Sequence, residues 1–153
     1  MPNIQQWLDA YGESHQHPVN KRIHWLCVPA NFFGVYGLVR CLPQPEALGH
    51  FSWASGLLLM AVGYYFVLSQ TLAVGFVLWA ALVYAGNECL LAGLGRGGLF
   101  WFSVGVFVLA WTGQFIGHHI EGKKPSFLQD VQFLLIGPAW LMAFVYRKLG
   151  IKI

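Results

Sequence analysis

The chain alternates long apolar runs with short polar breaks. Residues 51–87 and 97–120 contain no Asp, Glu, Lys or Arg. About 20 apolar residues at a rise of 1.5 Å each cross the hydrocarbon of a bilayer, so such runs predict membrane-spanning helices. Residues 1–18 are polar, and within them Ile4, Trp7, Leu8 and Tyr11 fall at helical spacing, predicting a short surface helix. The first spanning helix is expected over about 19–39, entered by Pro18 at its first turn and kinked near Pro29. Residues 41–49, with Pro43 and Pro45, read as a loop. Helices then follow over about 51–68 and 72–91, joined tightly through Ser69-Gln70-Thr71, and over about 99–120. The glycine-rich stretch 93–98 separates the last two as a turn; it lacks the Lys-Ser/Thr of a phosphate loop. A final apolar segment, about 131–146, is broken by Gly137-Pro138, and Asp130 is expected to cap it. The reading is an all-α integral membrane protein in one domain, residues 1–153. Four transmembrane helices form a compact bundle, and a fifth C-terminal segment is partly embedded.

Composition supports this class. The 153 residues are 57% hydrophobic and 10% charged, against about 25% charged in soluble domains. No cleavable signal peptide is expected, because the first 18 residues hold Asp9 and Glu13 and lack an apolar core. Cys27, Cys41 and Cys89 are too widely spaced for a zinc site or disulfide framework and read as small apolar residues. The net charge of +3 comes from basic residues beside apolar runs, a mark of topology that gives no sign of nucleic-acid binding. Trp7, Trp25, Trp53 and Trp101 fall near segment ends, as in an interfacial belt. Both termini are expected in the cytoplasm, with the chain in a bacterial inner membrane or, in a eukaryote, the endoplasmic reticulum.

This topology returns the end of the fourth helix to the face where the first begins. His15, His17 and His24 can then meet His118, His119 and Glu121. Asn20 and His24 share a helical face, as do His118 and Glu121, with Gln114 one turn below. Imidazoles near hydrocarbon are costly unless they bind something, and a cluster of neutral ones with open positions suits Fe(II), Zn(II) or Cu(II). Asn, Gln and Glu nearby would orient the rings. His50, alone in a loop, receives no role. Glu88 reads as an interfacial carboxylate beside Arg96 or as an ion relay. Rival readings are a small transporter or channel for protons or metal ions, and a non-catalytic membrane scaffold.

His15, Asn20 and His24 followed by Pro29, then Gln114, His118, Glu121 and Pro125, make up two motifs. With the length and hydropathy of the whole chain, they resemble the family of membrane 2-hydroxy-fatty-acid dioxygenases typified by the fungal endoplasmic-reticulum enzyme of phytosphingosine α-oxidation. The resemblance implies an Fe(II)-dependent enzyme that converts a 2-hydroxy fatty acid and O₂ to the acid one carbon shorter, with loss of CO₂. It implies His15, His24 and His118 as iron ligands and catalytic residues together with Glu121. Asn20, Gln114 and Glu121 become supports for the ligands. His17 and His119 fall between motif positions and stand as additional donors.

Overall fold

A computed structural model describes residues 3–49, 51–123 and 127–153, and every regular element among them is helical. His50, Lys124, Pro125 and Ser126 lie outside the described residues, as does the side chain of Asp130. Helix α1 spans Ile4–Glu13, α2 Pro18–Arg40, α3 Trp53–Leu68, α4 Gln70–Glu121 and α5 Phe127–Lys148. A short 3-10 turn, Glu46–Leu48, interrupts the loop between α2 and α3.

Local chemistry sets the helix starts. Asn3 and Gln6 form a reciprocal capping box on α1, each side chain accepting from the other's backbone N–H at 2.9 and 2.8 Å. His17 caps α2, its Nδ1 accepting from Val19 N–H at 3.2 Å, with Pro18 opening the helix. Ser69 is the whole connection between α3 and α4, shorter than the three-residue turn expected, and its hydroxyl caps α4 by accepting from Leu72 N–H at 3.3 Å.

The 52-residue α4 is two helical arms. Gly95 has φ 71° and ψ 177°, outside helical geometry. Asn87 and Ser103 both approach Gly37 of α2, their side-chain oxygens lying beside the point where a Cβ on Gly37 would sit. A straight helix would hold residues 16 apart about 24 Å from each other. The chain therefore turns back on itself at Gly95, within the stretch expected to turn but with a break of a single residue. A positive φ is inexpensive only for glycine.

Two expectations about local structure need correction. Gly137-Pro138 does not break the last segment; α5 continues through both and runs longer than expected. Its Gly137 passes close to Val28 and Tyr11, so the missing side chain serves helix packing here. Glu88 pairs with Arg40, Oε1 to Nε 2.6 Å, where Arg96 was the expected neighbour.

The main core lies where α1, α3, α5 and the first arm of α4 meet: Leu8, Tyr65, Leu72, Ala73, Phe76, Ala139 and Ala143. Tyr65 stacks on Phe76 and donates to the Leu135 carbonyl. A smaller cluster of Tyr36, Ala54 and Val83 joins α2, α3 and α4 lower down. Small residues let α2 and the second arm of α4 approach closely: Gly34 lies against Val106 and the Ser103 carbonyl, Gly113 against Cys27, and Gly117 against Asn20. This last contact brings His118 to α2. Among the described residues one helix, Gln70–Glu121, is long and apolar enough by length and composition to cross a membrane; α3 is shorter, and α2 carries Lys21, Arg22 and Arg40.

A candidate metal centre of three buried histidines

His15 follows α1, His24 lies two turns into α2, and His118 lies in the last turn of α4. All three are buried, and one ring nitrogen from each falls within 4.8 Å of the others. The ring centroids are 4.3 Å apart for His15 and His24, 5.1 Å for His15 and His118, and 4.9 Å for His24 and His118.

The backbone fixes which nitrogens are available. His15 Nδ1 lies 2.6 Å from the Tyr11 carbonyl, and His24 Nδ1 lies 3.0 Å from the Asn20 carbonyl. A carbonyl can only accept, so each Nδ1 must carry the proton. In the neutral rings the lone pair then resides on Nε2, the arrangement seen when a histidine ligates a metal through one nitrogen and is oriented through the other. Nε2 of His15 is buried and has no hydrogen-bond partner among the described residues. An orphaned acceptor of this kind is costly, and a cation beside it would satisfy it.

Burial holds His15 neutral. Desolvation, aided by nearby His118 and partly opposed by the Tyr11 hydrogen bond, pushes its pKa from 6.5 down to about 4. The folded state thus binds fewer protons than the unfolded chain between these values, so stability rises with pH there. The contribution is complete above pH 6.5 and is lost as pH falls toward 4. Thermal unfolding of metal-free protein should show a midpoint that drops across this window. His15→Gln should flatten the drop; an equal pH slope in that variant would refute the assignment.

Around the rings, a network joins the chain's distant parts. Glu121 Oε1 accepts from Gln16 N–H at 2.8 Å and Oε2 from His17 N–H at 2.7 Å, so the carboxylate caps the start of α2 from the end of α4. Desolvation acts to raise its pKa, but these bonds and one from Asn20 outweigh it and hold the carboxyl below its ordinary value. Asn20 is fully buried, and its Nδ2 donates to Glu121 Oε2 at 3.2 Å and to the Ser14 carbonyl at 3.1 Å. Gly122, at φ 75°, ends α4 directly after Glu121 and sets where the carboxylate emerges.

Of the residues expected here, the fold brings together His15, His24 and His118, with Asn20 and Glu121 beside them. Glu121 is engaged with α2 and does not belong to the group of three nitrogens. His17 is exposed and its Nδ1 is occupied in capping α2; His119 is exposed, and neither joins the group. Gln114 lies half-buried on the same arm of α4, its Nε2 buried without a hydrogen-bond partner among the described residues.

Sequence reasoning missed Tyr11 and Trp140. Tyr11 stacks on His15 with centroids 4.1 Å apart and planes 5° from parallel, besides supplying the carbonyl. Trp140 of α5 stands 5.7 Å from the same ring. Tyr11 was visible only as an apolar position of the surface helix.

Fold and site together define an all-helical protein with a buried trio of imidazoles able to hold one metal ion. The chain belongs to the family described as 2-hydroxy-palmitic acid dioxygenase Mpo1-like, whose model matches residues 1–149. No curated protein matches the chain, and no solved structure does. The family is named for a dioxygenase acting on a 2-hydroxy fatty acid.

Proposed function

We propose that this protein is an Fe(II)-dependent dioxygenase of the membrane that shortens 2-hydroxy fatty acids by one carbon. The balanced reaction takes a 2-hydroxy acid and O₂ to the next shorter acid, CO₂ and water. The observation that carries the reading is the trio His15, His24 and His118, with two tautomers set by backbone carbonyls, in a chain of a dioxygenase family.

The residues present fit an iron ion: three imidazole nitrogens, one an unsatisfied buried lone pair, leave positions for other ligands. When bound, Fe(II) supplies coordination positions for the 2-hydroxy acid and O₂ and the electrons that activate oxygen. The chain itself does the positioning. Tyr11 and Asn20 lock the rings of His15 and His24 through their carbonyls. Glu121 holds Gln16 and His17 at the mouth of α2 and so fixes the distance between the two helices that carry ligands. Tyr11 stacks on one face of the His15 ring and Trp140 stands beside it, which holds the ring in place.

The bilayer is the proposed setting. Large apolar side chains face outward along α3 and both arms of α4, among them Leu59, Val67, Leu78, Trp101 and Leu109, the last 73% exposed. A water-facing surface of this kind would aggregate, whereas lipid accommodates it. In this reading α2, α3 and the two arms of α4 cross, α5 is partly embedded, and both termini share the cytoplasmic face with the histidines. A transport path would need polar groups in file across the bundle. The buried positions between His24 and Asn31 on α2 are Cys27 and Val28, which interrupt such a file.

Purified protein, Fe(II) and O₂ incubated with a long-chain 2-hydroxy acid should yield the acid one carbon shorter, detected by mass spectrometry. Failure to bind iron and to form that product would overturn the proposal.

A further inference from the structure

A polar recess of about 360 Å³ lies beside His15, one member of the trio. His15 lines it, with Lys21, Trp140, Phe144 and Arg147 around it and the acidic Asp9 and Glu13 toward α1. Two of these charges are engaged through one residue: Gln5 donates to Asp9 at 2.6 Å and accepts from Arg147 at 3.2 Å. Lys21, half-buried, has no side-chain hydrogen bond or ion pair among the described residues. The Glu13 carboxylate likewise has no partner among the described residues, so the recess keeps one unpaired charge of each sign, and Lys21 is the one that can take an anion.

Next to the recess runs an apolar groove of about 250 Å³ between α2, the first arm of α4 and α5. It is lined by Trp25, Pro29, Trp79, Pro138, Leu141 and Val145, among others. The recess and the groove have no lining residue in common but meet at one pair of rings. Trp25, which follows His24, meets Phe144 edge to face at 5.3 Å, and Phe144 faces the recess while Trp25 faces the groove. A second apolar cavity, of about 340 Å³, lies farther along α2 and against α3.

A polar chamber with a spare cation, joined across one aromatic pair to an apolar trough, has the form of a single-chain carboxylic acid. We infer that the recess and groove are the binding site of a long-chain fatty acid: Lys21 takes the carboxylate, the chain passes the Trp25–Phe144 pair, and the tail lies in the groove against Val145. This rests on the substrate class proposed above and assigns it residues. The carboxyl end then sits beside His15, while the tail lies at a surface open to lipid, where Trp25 and Val145 are both exposed. A hydrocarbon tail needs no polar partner there, and the charged end is not dragged through the bundle.

The test uses binding before catalysis. Metal-depleted full-chain protein in phosphatidylcholine nanodiscs is irradiated with a long-chain fatty acid carrying a terminal diazirine, and labelled residues are mapped by mass spectrometry. Label is expected on α5 around residues 138–146 and on α4 around residues 75–79. It should fall about tenfold in Lys21→Gln, the loss of one charge-assisted contact, and recover in Lys21→Arg. Label concentrated around Leu57, Met60 and Leu134 of the second cavity, or unchanged in Lys21→Gln, overturns the inference. Kinetics with iron-loaded protein add a second readout. Val145→Trp should raise KM for long acids and spare short ones, and an equal effect on both counts against the groove. If the groove is labelled but no 2-hydroxy acid is oxidised, the binding site stands and the proposed reaction falls.

Discussion

His24→Ala and His118→Ala are each expected to lose iron retention and chain-shortening activity together, with activity down by more than about a hundredfold. Removing a residue that only orients a ligand typically costs 10–100-fold, and removing a ligand should cost more. Each ring fills space beside the other two, so the variant leaves two imidazoles and a void where the third donor stood. Iron content of the purified variants and product by mass spectrometry measure the two losses, and circular dichroism establishes that helix content survives. His17→Ala and His119→Ala supply the contrast. Both rings are exposed and outside the group of three, so iron content should stay near that of the parent. Full activity in His24→Ala or His118→Ala would sink the site, even with the reaction itself demonstrated.

Gly117→Ala should damage the centre from behind. A Cβ there would collide with Asn20 Oδ1 and sit 3.4 Å from His24 Cε1. Asn20 cannot swing away cheaply, because it is fully buried and its amide holds Glu121 and the Ser14 carbonyl. Overpacking of this type costs about 1–3 kcal/mol, and iron affinity should fall about 10–100-fold as the network shifts. Gly105→Ala is the matched control. Nothing lies within 4 Å of its added methyl, and alanine is the better helix former, so about 0.5–1 kcal/mol of stabilisation is expected. Thermal midpoints and iron titrations on both variants decide the matter. Parental iron affinity in Gly117→Ala would show that the contact between α2 and α4 does not position the ligands.

How far the site could be read in advance depends on the kind of contact. The approach of His118 to His15 and His24 followed from counting apolar runs, since an even number of passes returns the chain to its starting face. The single-residue break at Gly95 keeps that parity, so the expected ends come together even though the turn is tighter than its composition implied. Tyr11 could not be found this way: its carbonyl is one that any residue offers, and its stacking depends on how α1 folds back over α2. Glu121 was legible as a motif residue, but two of its three bonds go to backbone N–H groups that carry no sequence signal. Glu88 was given the wrong partner because nearness in sequence pointed to Arg96, whereas helix facing brings Arg40. Gly113 and Gly117, four apart on α4, were the overlooked clue to close helix contact. At Gly137-Pro138 a strong local breaking signal yielded to packing on α1 and α2.

Glu121 reaches back more than a hundred residues to Gln16 and His17, and this separation sets an order of events during synthesis. A nascent chain that has completed α2 already holds His15 and His24, yet it lacks the third donor until nearly four-fifths of the protein has emerged. Closing so long a loop is entropically slow, while the individual helices can form early. A stalled or truncated chain therefore offers a metal ion only two of the three imidazoles. Any metal held by all three would be captured late in maturation, only by chains in which the end of α4 has already met the start of α2.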